Sequence, residues 1–404
     1  MLNTKFKPWP AFSQTEIEGV QKVLKSGRVN YWTGEETKSF EREFAKWCGV
    51  NHAVALANGT VALELALKAL GIGPGDEVIV TPRTFIASIS CVAMVGATPV
   101  FADVDLASGN LSAETIKGKI TSRTKAVICV HLAGWPCDMD PIMELAKERR
   151  IYVIEDCAQA HGAIYKGKRV GSIGDIGAWS FCQDKIMTTG GEGGMVTTND
   201  ERIWNWMWSF KDHGKSYDAV HHRQHPPGFR WLHESFGTNW RMMEIQAVIG
   251  RSQLGCIDDW TRTRNKYASQ IIATARRFQC MNSPVFKCNQ ANCSTECTKT
   301  SNCVHAQYKL YVYVELEKLK PAWTRDRIIQ EINISGVPCY QGSCSEVYRE
   351  LAFDSTNWRP QQPLANAQKL GETSLMFLVH PTLDQKEIDL TCQTLAEVLM
   401  EASK

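Results

Sequence analysis

The sequence predicts an α/β protein: a large domain built on a mainly parallel sheet, followed by a smaller C-terminal α+β domain. Three observations carry that expectation. From about Glu41 onward, short apolar runs alternate with longer amphipathic ones. Near Asn239 the alternation gives way to a long helical stretch, and after a polar, cysteine-rich segment strand and helix patterns resume. With 404 residues, 44% of them hydrophobic, the chain exceeds one compact unit of average size. The large domain, with an N-terminal arm, is expected over residues 1–280, and the small domain over 281–404, opening with a Cys-rich loop at 281–304.

Taken in order, HAVALAN, DEVIVTP, ATPVFADVD, TKAVICVHLAG, IYVIEDCAQA, IGAWSFC and GGMVTTND have the composition of buried strands. TVALELALKALG, AETIKGKI and DPIMELAKERR place apolar residues at helical spacing. Strands separated by such helices join in parallel, and functional residues then collect at the strand carboxyl ends. The stretch WRMMEIQAVIGRSQLGCIDDWTRTRNKYASQIIATARRF reads as helical without strong breakers and closes the sheet domain. Beyond the Cys-rich loop, QYKLYVYVEL reads as a strand, WTRDRIIQEINISG as a helix, and further short elements end in EIDLTCQTLAEVLM.

Composition excludes several classes of function. Lys plus Arg is 45 against 43 for Asp plus Glu, so a net charge of +2 leaves no electrostatic footprint for nucleic acid or an anionic membrane. The first twenty residues lack the basic and apolar regions of a secretory signal, and no uncharged apolar run reaches membrane-spanning length. A cytoplasmic protein is expected, with small molecules and copies of itself as partners. Of fifteen cysteines, Cys129, Cys157 and Cys182 lie singly among apolar residues, as reduced core thiols do. Cys288, Cys293, Cys297 and Cys303 are spaced more loosely than the Cys-x2-Cys pairs of structural zinc, so that segment reads as an exposed loop and no metal is expected.

Four segments carry candidate chemistry. In ANGTVALELAL, Gly59 lets backbone approach an anion, and Thr60 offers an N–H and a hydroxyl at the positive end of the following helix; the same pair would also serve as an ordinary cap. In TPRTFIAS, Phe85 stands just past a strand end, where it either covers a flat ligand or joins the core. In VIEDCAQAHGA, a buried strand ends in an acidic pair followed by Gln159 and His161. A buried carboxylate calls for a cationic partner unless it caps the next segment, and strand alternation selects Asp156 over Glu155 for the site side. In AWSFCQDKIMTTGGEGGMV, Ser180 and Lys185 precede glycines 190, 191, 193 and 194. An amine held partly desolvated there favours the neutral, imine-forming state, whereas a lone lysine would be a surface residue. Neither a Walker loop nor a Gly-x-Gly-x-x-Gly dinucleotide fingerprint is present, which speaks against a nucleotide-cofactor oxidoreductase.

Together these segments resemble the DegT/StrS-type sugar aminotransferases, which have the aspartate aminotransferase fold (fold type I). The likeness runs from GRVNYWTG through HPTL and fails only at the Cys-rich loop. It implies a large domain that binds pyridoxal 5'-phosphate (PLP). Gly59, Thr60 and Ser180 would meet the phosphate, Phe85 cover the ring, Asp156 pair with the pyridine nitrogen and Gln159 contact the ring hydroxyl. Lys185 would be the Schiff-base lysine and the acid–base catalyst. FGTNWRMMEIQAVIG resembles the family segment whose Asn reaches the neighbouring subunit's phosphate, so the resemblance implies a homodimer with shared sites, Asn239 serving the partner. Some relatives carry histidine in place of this lysine and are dehydratases; lysine implies transamination, with L-glutamate as donor and a keto or aldehyde sugar as acceptor, in bacterial surface polysaccharide or lipopolysaccharide biosynthesis. One departure concerns the acceptor. Lys309 stands where nucleotide-hexose members often carry His, and VHLAGWPCDMDPI, SFCQDKIMTTGGEGGM and WSFKDHGKS resemble a subgroup making 8-amino-3,8-dideoxy-manno-octulosonate. Lys309, with Lys211 and His213 of the KDHG loop, would then meet a carboxylate; the alternative acceptor is a nucleotide-linked 4-keto-hexose.

Overall fold

The computed structural model describes residues 5–282 and 302–404. Cys288, Cys293 and Cys297, and with them most of the expected Cys-rich loop, lie outside the described residues. The strands in chain order are β1 (His52–Leu56), β2 (Glu77–Val80), β3 (Thr98–Phe101), β4 (Thr124–Val130), β5 (Tyr152–Asp156), β6 (Ile164–Tyr165), β7 (Lys168–Arg169), β8 (Ile176–Ser180), β9 (Gly194–Thr198), β10 (Met281–Asn282), β11 (Leu310–Val314), β12 (Cys339–Tyr340) and β13 (Ser374–Phe377). Seven of them form a sheet in the order β1-β9-β8-β5-β4-β2-β3, and four form a smaller sheet, β10-β11-β13-β12. In the large sheet β9 pairs antiparallel with β1 and β8, while every other pairing is parallel. The small sheet is antiparallel throughout.

Both faces of the large sheet are covered, which is why its strands read as nearly continuous apolar runs. On one face Leu56, Val80, Ile128 and Ile154 pack under the helices Gly59–Ala69 and Ala87–Met94. On the other, Val127, Cys129 and Val153 meet the helix Met139–Arg149, and Phe40, Phe44, Trp179 and Phe181 build an aromatic cluster. The small sheet has its own core around Leu310, Val312, Leu375 and Phe377, to which Tyr267, Ala268, Ile271 and Ala275 contribute. Residues 303–308 pack back onto the large sheet through Cys303, Ala306 and Tyr308.

The helical stretch after Asn239 departs from its expected continuity. It is two helices, Glu244–Leu254 and Ile257–Ala275, parted at Gly255, because glycine there gives up helix propensity and the chain turns toward the small sheet. Glu244, wholly buried, turns its carboxylate onto the N–H groups of Glu36 (2.6 Å) and Thr37 (3.2 Å), capping the helix Glu36–Cys48. Its own N–H donates to the Val29 carbonyl at 3.3 Å, which ties the two family-like segments GRVNYWTG and WRMMEIQ together. Cys129 and Cys157 are buried as expected, but Cys182 is only half-buried, since it belongs to the turn that carries Lys185 and not to the sheet. No helix among the described residues is long and apolar enough to cross a membrane.

Candidate active site

The sheet register assembles the site. β1, β9 and β8 meet with Leu56 opposite Gly194 and Gly194 opposite Ser180, so the turn leaving β1 lies directly on the end of β8. A side chain at position 59 would put its Cβ 2.5 Å from that of Ser180, and one at 194 would come within 2.2 Å of the Asn58 carbonyl; only glycine fits this approach. Asn58 caps the helix Gly59–Ala69 by accepting from the Val61 N–H at 3.0 Å. The N–H groups of Gly59 and Thr60 at the open first turn face an anion's usual place. Thr60 is exposed and Ser180 is buried beside it.

β5 ends in two carboxylates pointing to opposite sides. Glu155, fully buried, takes a hydrogen bond from His131 Nε2 (2.9 Å) and from the N–H groups of Gly171, Ile173 and Gly174 (2.8, 2.8 and 2.7 Å). Burial opposes its charge, yet His131 and these N–H groups hold its carboxyl below the usual range. His131, Glu155 and Cys157 converge as a metal group would, but the Glu155 oxygens are already met by these donors and His131 Nδ1 accepts from the Cys137 N–H at 3.0 Å. The cluster braces the strand end. Asp156, buried, accepts from Ser88 Oγ at 2.8 Å and from the Ala158 N–H at 3.1 Å, so its partners differ wholly from those of Glu155.

Lys185 sits in the turn after β8, its N–H bonded to the Cys182 carbonyl at 3.1 Å and its side chain 15% exposed. It opens into a cleft of about 250 Å3 that Phe85, Gln159, Asp184 and Tyr308 also line, with residues 343–350 of the small lobe as the far wall. Gln159 spends its amide oxygen on the Ala133 N–H at 2.8 Å, which aims its NH2 elsewhere. Phe85 is 66% exposed and therefore no core residue. Its turn is bolted to the small lobe by the buried Arg83, which donates to Ser345 Oγ (3.1 Å) and Tyr313 OH (2.9 Å).

Two cleft residues escaped the sequence reading. Asp184 accepts from the Tyr308 hydroxyl and stands 3.9 Å from Lys185 Nζ, which in turn lies 5.2 Å from the Tyr308 ring centre. Burial works against the Asp184 charge, but Lys185, the Tyr308 hydroxyl and Lys309 outweigh it and keep the carboxyl below its usual range. Adjacency to the candidate lysine is a fair signal for Asp184. Nothing in the sequence relates Tyr308 to a residue more than a hundred positions earlier.

The three expected acceptor contacts fare differently. Lys211 is a correction: it is wholly buried, its Nζ 3.1 Å from Glu41 Oε1 and 3.8 Å over the Tyr31 ring. Glu41 also accepts from the Ala55 N–H at 2.8 Å, so this pair supports β1 from inside, and removing one partner would strand the other's charge at a cost of about 3–5 kcal/mol. His213 is a correction too, exposed at φ +60° on a turn held by the Thr238 carbonyl (2.8 Å) and not among the cleft's lining residues. Lys309 does come near: its Nζ packs 4.9 Å from the Tyr308 ring, and burial together with Arg264 lowers its pKa to about 8. Asn239 is exposed, on a segment fastened by a backbone bridge to Asp212 and by the Ala57 N–H donating to the Trp240 carbonyl at 2.9 Å.

The residues present fit PLP: the N–H groups of Gly59 and Thr60 at a helix start suit a phosphate, the buried Asp156 carboxylate at the end of β5 would suit a protonated ring nitrogen, and the exposed Phe85 and the Lys185 amine line one cleft. Similarity to known proteins agrees. GDP-perosamine synthase of Escherichia coli O157:H7 is 46% identical over 259 residues, 64% of this chain and 68% of that protein. GDP-perosamine synthase of Caulobacter vibrioides is 37% identical over 365 residues, 89% of each. The crystal structure of an aminotransferase from Psychrobacter cryohalolentis superposes with a TM-score of 0.93 at 58% identity, covering 98% of this chain and 99% of that one. With residues 10–396 matching its pattern, the chain belongs to the DegT/DnrJ/EryC1/StrS aminotransferase family and is a PLP-dependent enzyme.

Proposed function

We propose that this aminotransferase moves an amino group from L-glutamate to the keto carbon of a nucleotide-linked keto-hexose, for bacterial surface polysaccharide or lipopolysaccharide. The observation that supports it most is the cleft itself, where the Lys185 amine faces Phe85 and Gln159 while two carboxylates, Asp184 and Glu350, stand on the walls. A neutral sugar ring suits that lining better than an acid. The perosamine synthases named above act on a nucleotide sugar by their names, which supports the same class here.

In this reading Gly59, Thr60 and Ser180 bind the cofactor phosphate, Phe85 and Gln159 orient the ring, and Asp156 keeps a proton on the ring nitrogen. PLP supplies the electron sink that makes amino transfer accessible. Lys185 Nζ would hold the cofactor and would serve as the acid–base group that takes a proton from the donor's α-carbon and gives one to the sugar carbon that receives nitrogen. Asp184 gives that amine a fixed neighbour while it is free.

A second reading, a free eight-carbon sugar acid, keeps one support in Lys309, whose charge fades as pH rises through about 8. The two readings part on kcat/KM for a nucleotide-linked 4-keto-hexose and for the oxidised sugar acid, in wild type and in Lys309→Met. The first expects the nucleotide sugar to be favoured by roughly 100-fold or more and the variant to change less than about threefold. Turnover of the sugar acid alone, lost in Lys309→Met, would refute it.

We also propose that Asn239 serves the site of a second copy. Lys185→Ala and Asn239→Ala subunits, each inactive alone, should on random mixing regain about a quarter of wild-type activity, since half the dimers are mixed and each has one intact site. Demonstrated subunit exchange without recovery would sink the shared site.

A further inference from the structure

The N-terminal arm reaches the catalytic lysine through one side chain. Trp9 donates its indole N–H to the carbonyl oxygen of Lys185 at 2.7 Å. Its ring meets Trp260 edge-on at 5.2 Å, stacks on His380 at 6.0 Å and lies 5.2 Å from the Arg264 guanidinium. Arg264 is fully buried, with Nε and one terminal nitrogen lacking a hydrogen-bond partner, and its other terminal nitrogen donates to the carbonyls of Gln307 and Tyr308 at 3.2 and 3.3 Å. Burial without an acidic partner lowers its pKa to about 9, so the face of an aromatic ring is a material compensation. Tyr308 closes the circuit, its ring 5.2 Å from Lys185 Nζ.

The arm itself is stitched to the small lobe. Thr382 Oγ1 donates to the Pro8 carbonyl at 2.8 Å, the Lys7 N–H donates to Glu387 at 2.7 Å, and Lys7 Nζ lies 2.9 Å from Asp384, the cap of the helix Gln385–Ala402. The exposed Lys7–Asp384 pair contributes little; the indole bond inside is the contact that bears on the lysine. The backbone before Lys185 is set by its bond to Cys182 and that after it by the buried Ile186 and Met187, which leaves the Lys185–Ile186 peptide as the hinge that Trp9 holds. The family match begins at residue 10, so Trp9 lies just outside it.

We propose that Trp9 is a positioning residue for Lys185: it pins the peptide that carries the lysine and, through Arg264, the Tyr308 ring against which the amine rests. This rests on the reading of Lys185 as the Schiff-base lysine. The test compares wild type with Trp9→Phe and with a chain carrying 3-benzothienylalanine at position 9, an isostere that keeps the ring's size and loses only the N–H.

Amide hydrogen exchange at Ile186, measured on the chain without cofactor, should quicken by about an order of magnitude in both variants, at an unchanged Tm for the isostere. With PLP, kcat should fall roughly five- to tenfold while KM for donor and acceptor stays within about twofold. Equal Ile186 exchange and equal kcat in the isostere and wild type would overturn the proposal, whatever Trp9→Phe does to folding. Borohydride reduction of wild type followed by peptide mapping keeps the two claims apart: a label on another lysine defeats the reading of Lys185, while the exchange result on the cofactor-free chain still decides whether Trp9 pins the turn.

Discussion

Lys185→Ala is expected to abolish turnover, by at least about four orders of magnitude, because among the described residues no second amine lines the cleft and the proposed function puts the general acid–base and covalent roles on one atom. The variant should still fold. Lys185 is 15% exposed at the side chain, its neighbours Ile186 and Met187 carry the packing, and the backbone bonds of the turn do not need the amine. PLP should remain bindable through the strand-end glycine, Ser180 and Asp156, but borohydride should no longer fix it to the chain. Absorbance and mass spectrometry of the reduced protein check both halves. Covalent labelling of the variant at Lys309, whose amine also packs near the Tyr308 ring, would show that the site has a second competent lysine and would refute the assignment.

Asp156→Asn should lower kcat by roughly three orders of magnitude with little change in Tm. The substitution keeps the shape and one oxygen, which can still accept from the Ala158 N–H (3.1 Å), while the amide NH2 in place of Oδ2 meets Ser88 Oγ (2.8 Å) as a donor, to which the hydroxyl can turn its acceptor side. What it removes is the negative charge that, in the proposed function, keeps the ring nitrogen protonated, the state on which the electron sink depends. Glu155→Gln is the matching control on the other side of the strand. It should cost stability instead, since its carboxylate collects His131 and three backbone N–H groups in a fully buried pocket. Near-normal kcat in Asp156→Asn, measured at saturating PLP, would remove Asp156 from the mechanism.

The division between these neighbours shows what strand periodicity can do. Alternation along β5 alone separates two neighbouring carboxylates, Glu155 bonded to His131 and three backbone N–H groups and Asp156 bonded to Ser88 and Ala158. Periodicity says nothing about a residue that leaves the strand, and there the sequence misleads: Lys211 and His213 follow the helix Glu201–Phe210 in a charged, ligand-like motif, yet Lys211 turns inward to Glu41, which the chain supplies from 170 residues earlier. A lysine's destination depends on which carboxylate the fold brings to it. Gly255 divided an apparently unbroken helix for a similar reason, since the second core it turns toward is made largely from the last hundred residues.

From the sequence by itself come the α/β alternation, the parallel sheet with its carboxyl-end site, the second smaller lobe, and the four segments whose resemblance names the family and the cofactor. These are local properties: a glycine that admits close approach, an acid at a strand end and a lysine before a glycine cluster each act within a few residues of themselves. The antiparallel course of β9, the Asp184–Tyr308 contact beside Lys185, the inward turn of Lys211 and the reach of Trp9 to the lysine's carbonyl were decided only by tertiary structure. Each joins groups far apart in the chain, and the free energy that selects such a contact comes from burial and charge pairing in the assembled core, which no short stretch of sequence contains.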